Sequence, residues 1–212
     1  YLMTDAGALP IKFSHLVAAL KEKNLLDVTI TLGNAFGGDL EAVNVYSALI
    51  VAQAAAGADV AVVAMGPGVT GTESALGFSG IEQGMVINAV SALKGKAIAI
   101  PRLSFRDPRK RHYGVSHHTL TALSLAALAP ALVVVPQMDE KKMALVQSQL
   151  HEHGIYAKHQ VEVIENEITL EALKDYGIGV TTMGREVREE PEFFQAAGAA
   201  GIVAVRMLEE KK

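Results

Sequence analysis

The chain has 212 residues, a formal net charge of -4 and no cysteine. The lack of cysteine excludes disulfides, thiolate metal sites and a cysteine nucleophile. The slightly acidic balance gives no general electrostatic reason to bind nucleic acid or an anionic membrane. Half of the residues are hydrophobic but only 5% are aromatic, so the core must be built from small aliphatic side chains, as in sheets covered on both faces.

Apolar runs typical of strands alternate with helix-like segments along the chain. The predicted strands are residues 27–32, 59–65, 97–100, 132–135, 161–164 and 178–182. The predicted helices are residues 44–56, 80–93, 117–129 after a Ser116 cap, 140–154 after an Asp139 cap, 169–176 with Thr169 as cap, and a last helix opened by Pro191.

This alternation is the βαβ pattern, whose crossovers force parallel strand pairing. It predicts a three-layer α/β domain over residues 1–212, with an open, mainly parallel sheet and helices on both faces, similar to a Rossmann fold. The chain begins at Tyr1 rather than Met, so we expect it to be the C-terminal part of a longer protein. No apolar stretch reaches the roughly 18 residues of a membrane span, and we expect a cytoplasmic protein.

The first candidate loop follows the strand predicted at residues 27–32 and contains Gly37, Gly38, Asp39 and Glu41. The two carboxylates could bind a divalent cation or act as acid and base. They are equally typical of acids that complement the dipole of a following helix. Two consecutive glycines favour the functional interpretation, because they are costly unless something approaches the backbone.

The second candidate loop follows the strand predicted at residues 59–65 and matches the letters G-x-G-x-x-G. A proline at the second position removes an amide donor, and the next helix begins only near Ser79, so a dinucleotide cofactor is disfavoured. A looser anion-binding loop and a glycine-rich turn packed for shape alone both stay open. The candidate ligand-binding residues are Gly66, Gly68, Thr70, Gly71 and Thr72.

The third candidate loop, residues 102–118, concentrates positive charge in an acidic protein. Its arginines suit the capture of a phosphate or carboxylate, although a solvated loop resting on a subunit interface is an alternative. The candidate ligand-binding residues are Arg102, Arg106, Arg109 and Arg111.

His117 and His118 open the helix that follows this loop. Adjacent helical residues point about 100° apart, so we expect only one of the two to serve a metal or act as a general base. The candidate catalytic residues are therefore Asp39, Glu41, His117 and His118, and the candidate metal ligands are Asp39, Glu41 and His117. The histidines at positions 151, 153 and 159 are predicted to be solvated surface.

Five segments in the same order resemble a bacterial protein family. They are residues 1–10, Ala35-Phe-Gly-Gly-Asp-Leu-Glu-Ala-Val43, Gly66-Pro-Gly68, Gly77-Phe-Ser-Gly80 and His112-Tyr-Gly-Val-Ser-His-His-Thr119. The family is catalogued as domain of unknown function thirty-eight sixty-six. The resemblance implies a cytoplasmic bacterial protein with a further N-terminal segment, and it implies no reaction, cofactor or catalytic residue.

Two functions are compatible with the sequence. In the first, the protein is an enzyme for a small anionic substrate, and the three loops form one site at the carboxyl edge of the sheet, with a divalent metal as candidate cofactor. In the second, it is a non-catalytic ligand-binding or assembly module whose basic loop contacts a partner. We expect a homo-oligomer in either case, with no nucleic acid and no membrane as partner.

Overall fold

The computed structural model describes residues 1–5, 7–66, 68–166 and 168–210. The strands are β1 (Leu2–Thr4), β2 (Ile30–Leu32), β3 (Leu40–Ala42), β4 (Val63–Met65), β5 (Ile98–Ala99), β6 (Leu103–Ser104), β7 (Gly114–Val115), β8 (Leu132–Pro136), β9 (Gln160–Ile164), β10 (Thr181–Thr182) and β11 (Arg185–Glu186). The helices are α1 (His15–Glu22), α2 (Val45–Ala54), α3 (Glu82–Ala92), α4 (His117–Thr121), α5 (Glu140–Glu152), α6 (Ile155–Lys158), α7 (Ile168–Asp175) and α8 (Pro191–Glu209).

The strands form two parallel sheets and two short antiparallel hairpins. The first parallel sheet has the order β3-β2-β1-β4, and the second has the order β5-β8-β9. The hairpins pair β6 with β7 and β10 with β11. The predicted α/β class with parallel strands is confirmed, and the strands divide between two sheets because β4 and β5 are not hydrogen-bonded to each other.

Helices cover both faces of each parallel sheet. In the first sheet, successive residues of β1 point to opposite faces: Leu2 packs against Ala48 and Ala52 of α2, and Met3 packs on the other face with Ile11, near α1.

In the second sheet, Val133 of β8 packs against α5 through Val146, and Val134 packs against α8 through Val203. Each sheet therefore has helices above and below it. Among the described helices, none is both long and apolar enough to cross a membrane.

Several predicted elements are confirmed with shorter bounds. Asn44 caps α2 and Asp139 caps α5 through their side chains, and Pro191 is the first residue of α8. The strands predicted at 27–32 and 59–65 shorten to three residues each. The segment predicted as a strand at 178–182 contributes only the two residues of β10 to a hairpin.

Two helix predictions need correction. Thr169 lies inside α7, where its amide and hydroxyl donate to Asn166 Oδ1, so Asn166 supplies the acceptor that Thr169 was expected to offer. The helix predicted over 117–129 changes after α4 into a π-helical turn, Ala122–Ala126. Asn88 of α3 closes this turn: its side-chain amide donates to Ala126 O at 3.0 Å and accepts from the amides of Leu128 and Ala129 at 2.7 and 3.1 Å.

Candidate functional site

Three imidazole rings come together where the basic loop enters α4. His112, His117 and His118 each offer a ring nitrogen, and these nitrogens all lie within 4.8 Å of one another. The ring centroids of His117 and His118 are 4.2 Å apart, and both rings lie about as close to His112, at 4.9 and 5.1 Å. Adjacent helical residues were expected to point their rings apart, but both rings lie beside the third, so the three side chains converge.

Two neighbours hold this histidine cluster in position. His112 Nδ1 is 2.8 Å from the hydroxyl of Ser116, which also caps α4 by accepting from the amide of His118. Phe78 stacks on His118, with ring centroids 4.1 Å apart and an interplanar angle of 9°. Because Phe78 belongs to the loop after β4 and all three histidines lie between β5 and β8, the cluster and its stacking partner join segments that follow strands of both parallel sheets.

The histidine cluster favours neutral imidazoles. Burial, followed by the charge of Arg109, lowers the pKa of His112 to about 4. Burial, followed by the two neighbouring imidazoles, lowers the pKa of His118 to about 4. The pKa of His117 is lowered by burial and by Arg111. A neutral ring has a lone pair available for a proton or a metal ion.

Arg102 and Arg109 are engaged by a buried carboxylate. Arg109 donates to the carboxylate of Asp107 through Nε at 2.9 Å and through Nη2 at 2.7 Å. Arg102 Nη2 lies 3.9 Å from the same carboxylate. The hydrogen bonds from Arg109 hold the pKa of Asp107 well below its usual range. The two arginines predicted to bind a ligand therefore also anchor the basic loop.

A second buried carboxylate, Glu190, fixes the start of this loop. It accepts from the Ser104 hydroxyl and from the backbone amides of Phe105 and Arg106, at 3.0 and 3.2 Å, and it pairs with Arg185. The Arg106 side chain itself is exposed, like that of Arg111. Within the described ranges, neither guanidinium has an ion-pair partner, so both remain candidates for binding an anion.

The glycine-rich loop after β4 offers fewer free donors than its sequence predicts. The amide of Thr70 donates to Ser79 Oγ at 3.0 Å, and the amide of Thr72 donates to Gly77 O at 2.6 Å. Gly71 bridges Phe78 in this small antiparallel turn, while Gly66 lies against the side chain of Met3. The loop, which also contains Gly68, contributes to the site mainly by presenting Phe78 to His118.

The acidic loop does not join the histidine cluster. Asp39 lies at the amino end of β3, where it accepts from the amide and hydroxyl of Thr29 at 2.8 and 2.7 Å and pairs with Lys21. These bonds, led by Lys21, lower its pKa to about 2. Gly66 follows the carboxyl end of β4 in the same parallel sheet. Asp39 and the glycine-rich loop therefore lie on opposite edges of that sheet, which contradicts the predicted single site and the pairing of Asp39 with His117 at one metal.

The remaining residues of the acidic loop are explained by the chain itself. A Cβ at Gly38 would lie 2.9 Å from the amide nitrogen of Thr31, so the backbone of β2 is what approaches this glycine. Gly37 has a φ of 87° and donates to the carboxylate of Glu41 at 3.0 Å. Glu41 lies in β3 rather than before a helix. The contacts of this loop therefore hold β3 against β2.

The structure brings forward two residues that were not among the predicted site residues. His112 completes the cluster. Strand β7 separates it from His117 and His118, so the three histidines do not follow a helical period that the sequence could reveal. Glu82, in the first turn of α3, accepts from the hydroxyl of Thr4 at the carboxyl end of β1. Burial raises the pKa of Glu82.

His159 is also placed differently from its prediction. It is buried, accepts from the amide of Ala131 at 3.1 Å and contacts Leu123 O at 3.0 Å. The pKa of His159 is lowered by burial. It supports the π-helical turn instead of facing solvent, while His151 and His153 are exposed as predicted.

The structure is therefore a parallel α/β protein in which three histidine rings converge in the segment after β5. The chain belongs to the family described as protein of unknown function DUF3866, whose model matches residues 1–201. The family resemblance stated from the sequence is thereby confirmed. No curated protein and no solved structure matches the chain.

Proposed function

We propose that the protein is an enzyme that acts on a small anionic substrate, phosphorylated or carboxylated, at the histidine cluster. The observation that carries this proposal is the convergence of three ring nitrogens within 4.8 Å, near the guanidinium of Arg111, which has no ion-pair partner among the residues that the structure describes. Neutral imidazoles can accept a proton, and an exposed arginine can bind a phosphate or carboxylate through two parallel hydrogen bonds. Both abilities are therefore available within one loop.

The position of the cluster in the topology supports this function. In open parallel sheets, ligands bind outside the carboxyl ends of the strands where the strand order reverses. Here the order reverses between β1 and β4, and Phe78, in the loop after β4, contacts the cluster. Glu82 lies at the carboxyl end of β1 with a raised pKa, so we include it as a candidate acid or base of the same crevice.

A ligand screen by thermal unfolding tests the proposal, with inorganic phosphate, sugar phosphates, nucleotides and dicarboxylates as probes. A ligand at about 100 times its Kd adds about 2.7 kcal/mol of stability, which corresponds to a rise of roughly 5–11 °C in Tm for a chain of this size. Arg111→Ala and His118→Ala should each remove the shift. No shift with any of these anions would refute the proposal.

Arg206→Ala is the matched control for the loss of one arginine. Arg206 pairs with Glu162 on β9 through both terminal nitrogens, at 2.7 and 2.8 Å, and belongs to a different part of the surface. The ligand shift should persist in this variant. Equal loss in Arg111→Ala and Arg206→Ala would mean that net charge, and not the site, governs the response.

A second candidate function is assembly of identical chains, and an apolar groove favours it. A cavity of about 490 Å³ separates α1 from the first sheet, and α1 buries none of its residues. Phe13 and Leu16 on its rim are 62% and 43% exposed. An apolar helix face of this kind is typical of a surface that a second copy covers.

The oligomeric state tests this candidate. A homo-oligomer built through α1 should dissociate in Leu16→Asp, as measured by sedimentation velocity, while Leu128→Asp, at an exposed leucine outside the groove, should leave it intact. A wild-type monomer at all concentrations would exclude assembly as the function.

We further propose a bacterial, cytoplasmic setting for either function.

A further inference from the structure

We propose that His112, His117 and His118 together bind one divalent transition-metal ion of the Zn²⁺ class. This inference deepens the proposed function and rests on the same three side chains. It identifies the cofactor through which the site would act on an anion.

The ring positions lie close to those of a metal centre. Zn²⁺ binds imidazole nitrogens at about 2.0–2.1 Å in tetrahedral geometry, which sets the nitrogens about 3.4 Å apart. The three nitrogens of the cluster lie within 4.8 Å of one another. The nitrogens would therefore need to approach by no more than about 1.4 Å to reach the spacing of a tetrahedral Zn²⁺ site.

The orienting contacts leave the right atoms free. Ser116 Oγ is 2.8 Å from Nδ1 of His112, so Nε2 is the nitrogen of that ring available to a metal. Such a hydrogen bond from the second ring nitrogen is a regular feature of metal-binding histidines. Among the described residues, His117 Nε2 is buried with no hydrogen-bond partner. A buried polar atom of this kind calls for a partner, and a metal ion supplies one.

The donor set selects the kind of metal. Imidazole nitrogen suits Zn, Cu, Fe and Ni, whereas Mg and Ca prefer carboxylate, carbonyl and water oxygens. Three protein ligands also leave a coordination position open, as in catalytic zinc sites, where a water or a substrate oxygen binds. The carboxylates first considered as ligands, Asp39 and Glu41, are not part of this set.

The surrounding arginines make the metal depend on an anion. Arg102, Arg109 and Arg111 belong to the same loop as the three histidines. Their positive charge opposes a bare dication, and Asp107, paired with Arg109, offsets only part of it. An anion at the open position would relieve this repulsion. Metal and anion should therefore strengthen each other's binding by the same factor.

Titration with Co²⁺ tests the metal centre directly, because tetrahedral Co²⁺ absorbs visible light far more strongly than the hydrated ion. The wild-type protein should bind one equivalent with a tetrahedral spectrum, and Zn²⁺ should displace it. His117→Ala and His118→Ala should weaken binding by more than about 100-fold, whereas His151→Ala, at an exposed histidine, should not. Circular dichroism of each variant checks that it is folded.

Inorganic phosphate separates this inference from the proposed function. Tetrahedral Co²⁺ binding that disappears in the two cluster variants supports the metal centre, even if phosphate has no effect and the anionic substrate is wrong. Two results together overturn the metal centre and leave the proposed function standing. Phosphate still raises the Tm in excess EDTA, and Co²⁺ gives no tetrahedral spectrum. Binding that is equal in the cluster variants and in His151→Ala also overturns it.

Discussion

Acidification should destabilise the metal-free protein through His112 and His118. Each has a pKa of about 4 in the folded protein, against about 6.5 in an unfolded chain. Between about pH 6.5 and pH 4, the unfolded chain therefore binds protons at these two histidines, whereas the folded protein does not. Protons favour the unfolded state in this window, so stability falls as the pH falls and stops falling below it.

The magnitude follows from these pKa values. Between about pH 7 and pH 5, one such imidazole lowers the free energy of unfolding by about 2 kcal/mol. The two rings lower it together by about 2–4 kcal/mol, because repulsion between them already contributes to the low pKa of His118. Asp39, with a pKa of about 2, titrates below this window and adds nothing to it.

Urea unfolding in EDTA at about pH 7, 6 and 5 measures this dependence. His118→Asn removes one titrating ring, so its free energy of unfolding should fall by less than that of the wild type over the same range, by as much as about 2 kcal/mol. His151→Asn should behave as the wild type. Parallel pH profiles for the wild type and His118→Asn would refute the assignment of the low pKa to the cluster.

Three further predictions concern the residues around the site. Glu190→Ala leaves Arg185 without its buried partner and should cost about 3–5 kcal/mol in urea unfolding; a loss below about 1 kcal/mol would contradict the buried network. Asn88→Ala removes the contacts that close the π-helical turn and should cost about 1–3 kcal/mol, whereas an unchanged Tm would contradict that role. Asp39→Asn weakens an exposed pair with Lys21 and should leave Co²⁺ binding unchanged; reduced Co²⁺ binding would return Asp39 to the site.

The sequence predicted the elements whose signals are local. Val133 to Val135 form a continuous apolar run and become the buried centre of β8. Asn44, Asp139 and Pro191 mark helix starts through contacts with the next few residues, and the structure has helices beginning at each of them. The parallel class followed from the alternation of these elements.

The acidic loop was misplaced because its partners are distant in the sequence. Leu40–Ala42 is a three-residue strand with a glutamate at its centre, and such a short segment has no detectable period. It is a strand because β2 pairs with it and because Asp39 is bonded to Thr29 and Lys21. Nothing local to the loop distinguishes that arrangement from a helix start with two acids.

The histidine cluster depends on contacts that the sequence cannot indicate. His117 and His118 were treated as neighbours on a regular helix, where their rings would diverge. They instead open a five-residue helix that follows Ser116, and His112 reaches them from the preceding turn. Phe78, more than thirty positions earlier, then stacks on His118. The cluster lies in the loop where the sequence predicted a functional histidine, and it includes His112, which that prediction left out.

The division of the strands into two sheets gives the cluster its place. A parallel sheet presents its loops at the carboxyl ends of its strands, and the loop after β4 and the segment after β5 start on either side of the break between the sheets. Stacking of Phe78 on His118 spans that break with side chains instead of backbone hydrogen bonds. Because the segments around this cluster follow strands of both sheets, an ion or ligand bound there would stabilise the folded arrangement of the two sheets.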